Sequence, residues 1–130
     1  MPAKDLYHDA VKSALIKDGW AITADPYRIQ YKDVDLYADL AAERPIAAER
    51  EGQKIVVVIK SFVGRSLMTD LHHAVGQYAI YRTLIKATEP EYQLYLAIDA
   101  IVYEDFFKRE GIELLTRASE IALMVVDIAF

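Results

Sequence analysis

Cysteine is absent from this 130-residue chain, so disulfides, thiolate metal sites and cysteine nucleophiles are excluded. A basic excess is missing too: the net charge is −5 and the pI about 5.1. Proteins that grip DNA by bulk electrostatics carry the opposite balance, because phosphate neutralisation supplies most non-specific affinity. Any nucleic-acid role therefore calls for a local basic patch, a metal ion or a partner that brings the DNA. Although 54% of the residues are hydrophobic, no run approaches the roughly 20 apolar residues of a membrane span. The opening Met1-Pro2-Ala3-Lys4-Asp5 lacks the apolar segment of a secretory signal, and cytoplasmic residence is expected. No linker, low-complexity tract or internal repeat divides the chain, so residues 1–130 are read as one domain of a size that can bury a continuous core.

What is there reads as alternating helix and strand. Leu6, Ala10, Val11, Ala14 and Leu15 form one helical stripe over about Lys4–Asp18, stopped by Gly19. Trp20–Thr23 begins a short strand, with Asp25-Pro26 as its turn. Val34–Leu40 reads as a strand continued by Ile46-Ala47-Ala48 beyond a break at Pro45. Glu51-Gly52 is the expected hairpin turn. The unbroken β-branched run Ile55–Ile59 predicts a strand buried on both faces. A long helix follows from about Ser66 or Thr69 to Lys86, with Leu71, Val75, Tyr78, Ala79 and Arg82 on one face. Then come a strand over Tyr92–Asp99, short helices over Val102–Lys108 and Glu113–Ala118, and a closing strand over Ile121–Ala129. Because a helical crossover separates Tyr92–Asp99 from Val56–Lys60, the two should run parallel. The expected fold is α/β, a mixed sheet flanked by helices.

Lys60 ends the apolar run, where a strand leaves the core and open α/β sheets place ligand chemistry. Strand alternation puts Val56, Val58 and Lys60 on one face. A hairpin centred on Glu51-Gly52 would set Glu49 opposite Lys54 and bring Glu43 beside Lys60, on the same parity as Asp39. Gln77 and Tyr81, at i and i+4, share one edge of the long helix. Each has a plainer reading: Lys60 as a strand-end cation, Asp39 as a turn residue, Glu43 as a solvated carboxylate, Gln77 and Tyr81 as helix-edge packing. Adjacent His72 and His73 diverge by about 100° and cannot face one ion together; they and His8 read as structural.

Asp39, Lys60, Gln77 and Tyr81 together resemble the PD-(D/E)xK, restriction-endonuclease-like superfamily, with the Q-x-x-x-Y pattern of its RecB-like branch. In that superfamily an Asp and a Glu bind magnesium and the Lys stabilises the attacked phosphate, an arrangement suited to a hard cation and a developing negative charge. A closer resemblance spans nearly the whole chain. His8-Asp9-Ala10-Val11-Lys12, Leu15-Ile16-Lys17-Asp18-Gly19-Trp20, Ile46-Ala47-Ala48-Glu49, Val58-Ile59-Lys60-Ser61-Phe62, Gly76-Gln77-Tyr78 and Val102–Phe107 are similar to the XisH family, the fdxN element excision controlling factors of cyanobacteria. That resemblance implies control of recombinase-driven DNA excision, with an XisI-like companion protein and site-specific recombinase machinery as partners. The family pattern has Glu-x-Lys where this chain has Val58-Ile59-Lys60. The resemblance thus carries over Asp39 and Lys60 but not the second carboxylate, and leaves a weak magnesium site of Asp39 with Glu43 as the substitute ligand. The expected function is an accessory factor on a nuclease-type fold with a degraded site. Two alternatives stand beside it: an active magnesium-dependent endonuclease using Asp39, Lys60 and a relocated carboxylate, and a protein-interaction module without DNA contact. Lys60, Arg65, Arg82 and Lys86 are candidates for a small basic patch that would touch DNA, and homo-oligomerisation is compatible with all three.

Overall fold

The computed structural model describes residues 7–46 and 49–128. Among the described residues, seven strands and four helices follow in chain order. They are α1 (His8–Lys17), β1 (Ala21–Ala24), β2 (Tyr27–Tyr31), β3 (Val34–Ala38), β4 (Leu40–Ile46), β5 (Glu49–Ile59), α2 (Leu67–Thr88), β6 (Tyr92–Asp99), α3 (Ala100–Val102), α4 (Glu110–Ala118) and β7 (Leu123–Val126). A π-helical turn, Tyr103–Phe107, continues α3. The expected start of the first helix at Lys4, the Ala47-Ala48 segment and Ala129 lie outside the described residues.

Five strands form one mixed sheet in the order β1-β4-β5-β6-β7, and β2 and β3 form a separate hairpin. β5 is central, antiparallel to β4 and parallel to β6, as its apolar run and the α2 crossover predict. Its alternating side chains feed two cores. Val56 and Val58 face α2, packing in one cluster with Leu71, Ala74, Tyr78, Leu94 and Leu96. Ile55, Val57 and Ile59 face α1, with Val11, Leu15, Leu40 and Ala97. Ile55, Val56 and Val57 are wholly buried, and each such side chain contributes about 1.5–3 kcal/mol.

α2 begins with Ser66 as its cap, whose Oγ accepts the Thr69 N–H at 3.2 Å. Asp70 in its first turn suits the positive end of the helix dipole and also accepts the Gly64 N–H at 3.0 Å. Tyr78, 1% exposed, stitches the helix to the sheet. Its hydroxyl donates to the Leu94 carbonyl at 2.9 Å and accepts the Ala122 N–H at 3.0 Å, just ahead of β7.

Two expectations are corrected. Val34–Leu40 is not one strand: β3 ends at Ala38, pairs with β2, and the chain crosses to the main sheet at Asp39. The β4–β5 turn is not at Glu51-Gly52 either. Ile46 pairs with Glu49, while Glu43 pairs with Lys54 and Leu40 with Val57, and the register shifts between Arg44 and Ile46. Gly52 sits inside β5 at that irregularity, with φ +71° and its α-carbon so close to β4 that a Cβ would lie 2.6 Å from the Arg44 carbonyl oxygen. A bulge needs the same left-handed glycine as a tight hairpin turn, so the sequence signal is identical.

Candidate functional site

The carboxyl end of β5 gathers the polar side chains that the sequence spreads over fifty residues. Asp39 lies where β4 begins, and its Oδ2 accepts the Ile59 N–H at 2.6 Å. A side-chain carboxylate thus continues the β4–β5 pairing one step beyond Leu40↔Val57. Extending the register by one pair sets Asp39 beside Val58. Two residues on, Lys60 is half-buried and bonds through its backbone N–H to the Ala97 carbonyl at 3.1 Å, so it remains aligned on β6. Val58 belongs to the α2-side core, and strand parity directs Lys60 to that same side.

Helix α1 contributes the group that sequence reasoning assigned to structure alone. His8 is 3% exposed; its Nε2 donates to Asp25 Oδ1 at 2.8 Å, and its Nδ1 lies 3.9 Å from Asp39 Oδ1. Lys12, one turn on, bonds Asp25 Oδ2 at 2.8 Å. Burial by itself would raise the Asp25 carboxyl, but Lys12 and His8 outweigh it and hold that carboxyl below its ordinary range. The signal for His8 was present: with Val11 and Leu15 at i+3 and i+7, it belongs to the buried stripe of α1.

From the other side of the sheet, Tyr81 of α2 donates its hydroxyl to the Tyr37 carbonyl at 2.8 Å. Burial, and then the nearby Asp39 charge, push its phenol pKa up. Gln77 is exposed one turn before Tyr81 on the same helix edge. Just past Lys60 the chain adopts a left-handed conformation at Phe62, φ +53°, which costs a non-glycine residue about 1–2 kcal/mol. The Phe62 ring is buried edge-on against Phe107 at 5.1 Å and 6.4 Å from Phe106, both from the π-helical turn. Two backbone irregularities therefore brace one another next to Lys60, and π-turns recur at functional sites.

Glu43 does not join this group. Paired with Lys54, it stands six residues from Lys60 along β5, about 20 Å, and about 13 Å from Asp39 along β4. Among the described residues no three His, Asp or Glu side chains converge on a point where a metal ion would be held. The donor set expected for magnesium, Asp39 with Glu43, does not fit one ion. The expected basic patch is also divided. Arg65 precedes α2, whereas Arg82 is about 25 Å further along it and donates to the Ser119 and Glu120 carbonyls at 2.6 and 3.2 Å, closing the end of α4.

The family model of the XisH protein matches residues 1–129. The chain belongs to the XisH family. An XisH family protein from Nostoc punctiforme is 37% identical over 95% of this chain and 92% of its own, with a TM-score of 0.86. An fdxN element excision controlling factor protein from Anabaena variabilis is also 37% identical, over 96% of this chain and 92% of its own, with a TM-score of 0.85. No curated protein sequence matches the chain. The α/β architecture, a mixed five-stranded sheet flanked by helices, is thus shared with solved XisH structures. Among the described residues no helix is long and apolar enough to cross a membrane.

Proposed function

We propose that this XisH chain is an accessory factor in controlled excision of a DNA element, acting through a companion protein and a site-specific recombinase on a nuclease-type sheet whose site is degraded. The observation that carries the reading is the environment of Asp39. Its Oδ2 is committed to the Ile59 N–H, and the register sets it beside Val58, a core valine, rather than beside a second carboxylate. Phosphodiester hydrolysis by this kind of site needs a firmly held metal, which takes two or more converging carboxylates; Glu43 is too far away to supply the second. Lys60 keeps the position of the phosphate-facing lysine without that partner. Net charge −5 and the separation of Arg82 from Lys60 favour reaching DNA through a partner.

The test has two arms. The purified chain, with magnesium or manganese, should leave supercoiled DNA intact, and excision from a reporter element should change only when the companion and recombinase are also present. Cleavage by the unmodified chain that Lys60→Ala abolishes would replace this reading with an active endonuclease. Metal binding gained by Val58→Glu, measured below its melting midpoint, would support a site lost at that position.

A further inference from the structure

Thr69, His73, Gly76, Ile80, Thr83 and Ala87 recur along α2 at alternating spacings of four and three, and all six are exposed. Such spacing lines them up as one straight seam on the side of α2 away from Leu71, Ala74, Tyr78 and Ile85, which are buried. None is Asp, Glu, Lys or Arg, in a chain where those residues make up 27%. Two of the charged residues of α2 are tied elsewhere, Asp70 to Gly64 and Arg82 to the end of α4. Ile80 is 53% exposed, and at Gly76 an added Cβ would meet nothing within 4 Å. An apolar knob and an empty notch therefore lie one turn apart on the same face.

We propose that this seam is the dimer contact of the protein, with α2 packed antiparallel against α2 of a second copy about a two-fold axis beside residue 78. That operation superimposes the seam on itself. Ile80 meets the partner's Gly76, His73 meets the partner's Thr83, and Thr69 meets the partner's Ala87. At the centre, bulk faces space, as a closely approaching helix pair requires. An isologous contact of this kind uses one patch twice. The seam suits a second copy because it holds both the knob and the notch, and because it carries no Asp, Glu, Lys or Arg, so two chains of −5 can meet there without setting like charges face to face.

The area is sufficient. From Thr69 to Ala87 the seam runs about 27 Å. It is flanked by a groove of about 390 Å³ lined by Met68, Val75 and Leu115 and by another of about 350 Å³ lined by Val34 and Leu84. A strip that long and two helix diameters wide is on the order of 600 Å² per subunit, the lower end for a stable dimer. Gln77 flanks the seam on one side, so the dimer turns both Tyr81-bearing edges to the same side.

Sedimentation equilibrium of the full chain should give twice the 14.8 kDa chain mass. Ile80→Glu should halve it while the circular dichroism melt shows a folded protein. Because the chain has no cysteine, Gly76→Cys mixed with Ile80→Cys should cross-link on oxidation far more than either variant alone. A monomeric parent would overturn the proposal and leave the seam to another protein. A dimer that survives Ile80→Glu, or cross-links best between identical positions, would also overturn it.

Discussion

At its amino end β5 sets Lys54 opposite Glu43, with the Lys54 ammonium 5.9 Å from the Tyr92 ring and all these groups only half-buried. At its carboxyl end the same strand sets Val58 beside Asp39 just before the chain leaves at Lys60, with His8 almost fully buried and Asp25 held by both His8 and Lys12. The residue types are alike, a carboxylate and a lysine at each end. The difference lies in solvation. Water competes for the first pair, which contributes little, whereas at the second Asp39, Asp25 and His8 Nε2 have fixed protein partners, so removing one strands another, and His8 Nδ1 is buried with no hydrogen-bond partner. A pair of opposite charges on adjacent strands is thus no sign of a site until its burial and its partners are known.

Several substitutions test that contrast. The largest effect is expected from Val58→Glu, which pushes a carboxylate into the α2-side core and should cost about 3–4 kcal/mol in urea unfolding at neutral pH. A loss below about 1 kcal/mol would show that the carboxyl end still accommodates a second acid next to Lys60. Gly52→Ala should cost about 2–3 kcal/mol, because it forces a side chain into a left-handed backbone and against the Arg44 carbonyl. That makes the amino end sensitive through its backbone even though its charges are not. Asp39→Ala should cost about 2 kcal/mol by orphaning the Ile59 N–H, with Asp39→Asn recovering most of it, while Glu43→Ala stays within about 0.5 kcal/mol. Equal losses at Asp39 and Glu43 would erase the contrast.

The smallest effect concerns pH. The Asp25 carboxyl is held below its ordinary value of 3.8, so its ionised form stabilises the fold. That contribution is complete above about pH 5 and lost as the pH falls through the lowered folded value. Asp25→Asn should therefore melt earlier than the parent at pH 7, and the two melting curves should converge in acid. A gap that persists at pH 2 would mean the aspartate acts by shape rather than charge.

The sequence made the sheet legible because its signals were redundant. Ile55–Ile59 is apolar on both parities and α2 keeps its stripe for about three turns, so the central strand, the crossover and the parallel β5–β6 pair follow. Register rested on one glycine, and Gly52 at φ +71° satisfies a bulge as well as a turn. Misplacing the turn moved Glu43 by six residues and created a carboxylate pair that the fold does not contain. That Asp39 meets the carboxyl end of β5, where its Oδ2 accepts the Ile59 N–H, was legible from the strand end and the family resemblance. The stripe of α1 marks His8 as buried, but its meeting with Asp25 was not legible, since that depends on how α1 crosses the sheet, which no local pattern records. The strand β2 was missed because Tyr27–Tyr31 has no continuous apolar run: only Tyr27 and Ile29 turn inward.

The two hydrogen bonds of Tyr78 have a consequence for how the molecule opens. β7 is four residues long and lies at the sheet edge, the place where a strand ordinarily frays first. Its entry is held by a phenol from the middle of α2, which also grips β6, so β7 cannot peel away while the helix stays docked. Helix and edge strand should exchange their amide protons as one cooperative unit, the Ala122 amide reporting on a helix to which it does not belong. Tyr78→Phe would uncouple them, letting β7 exchange quickly while the interior of α2 stays protected.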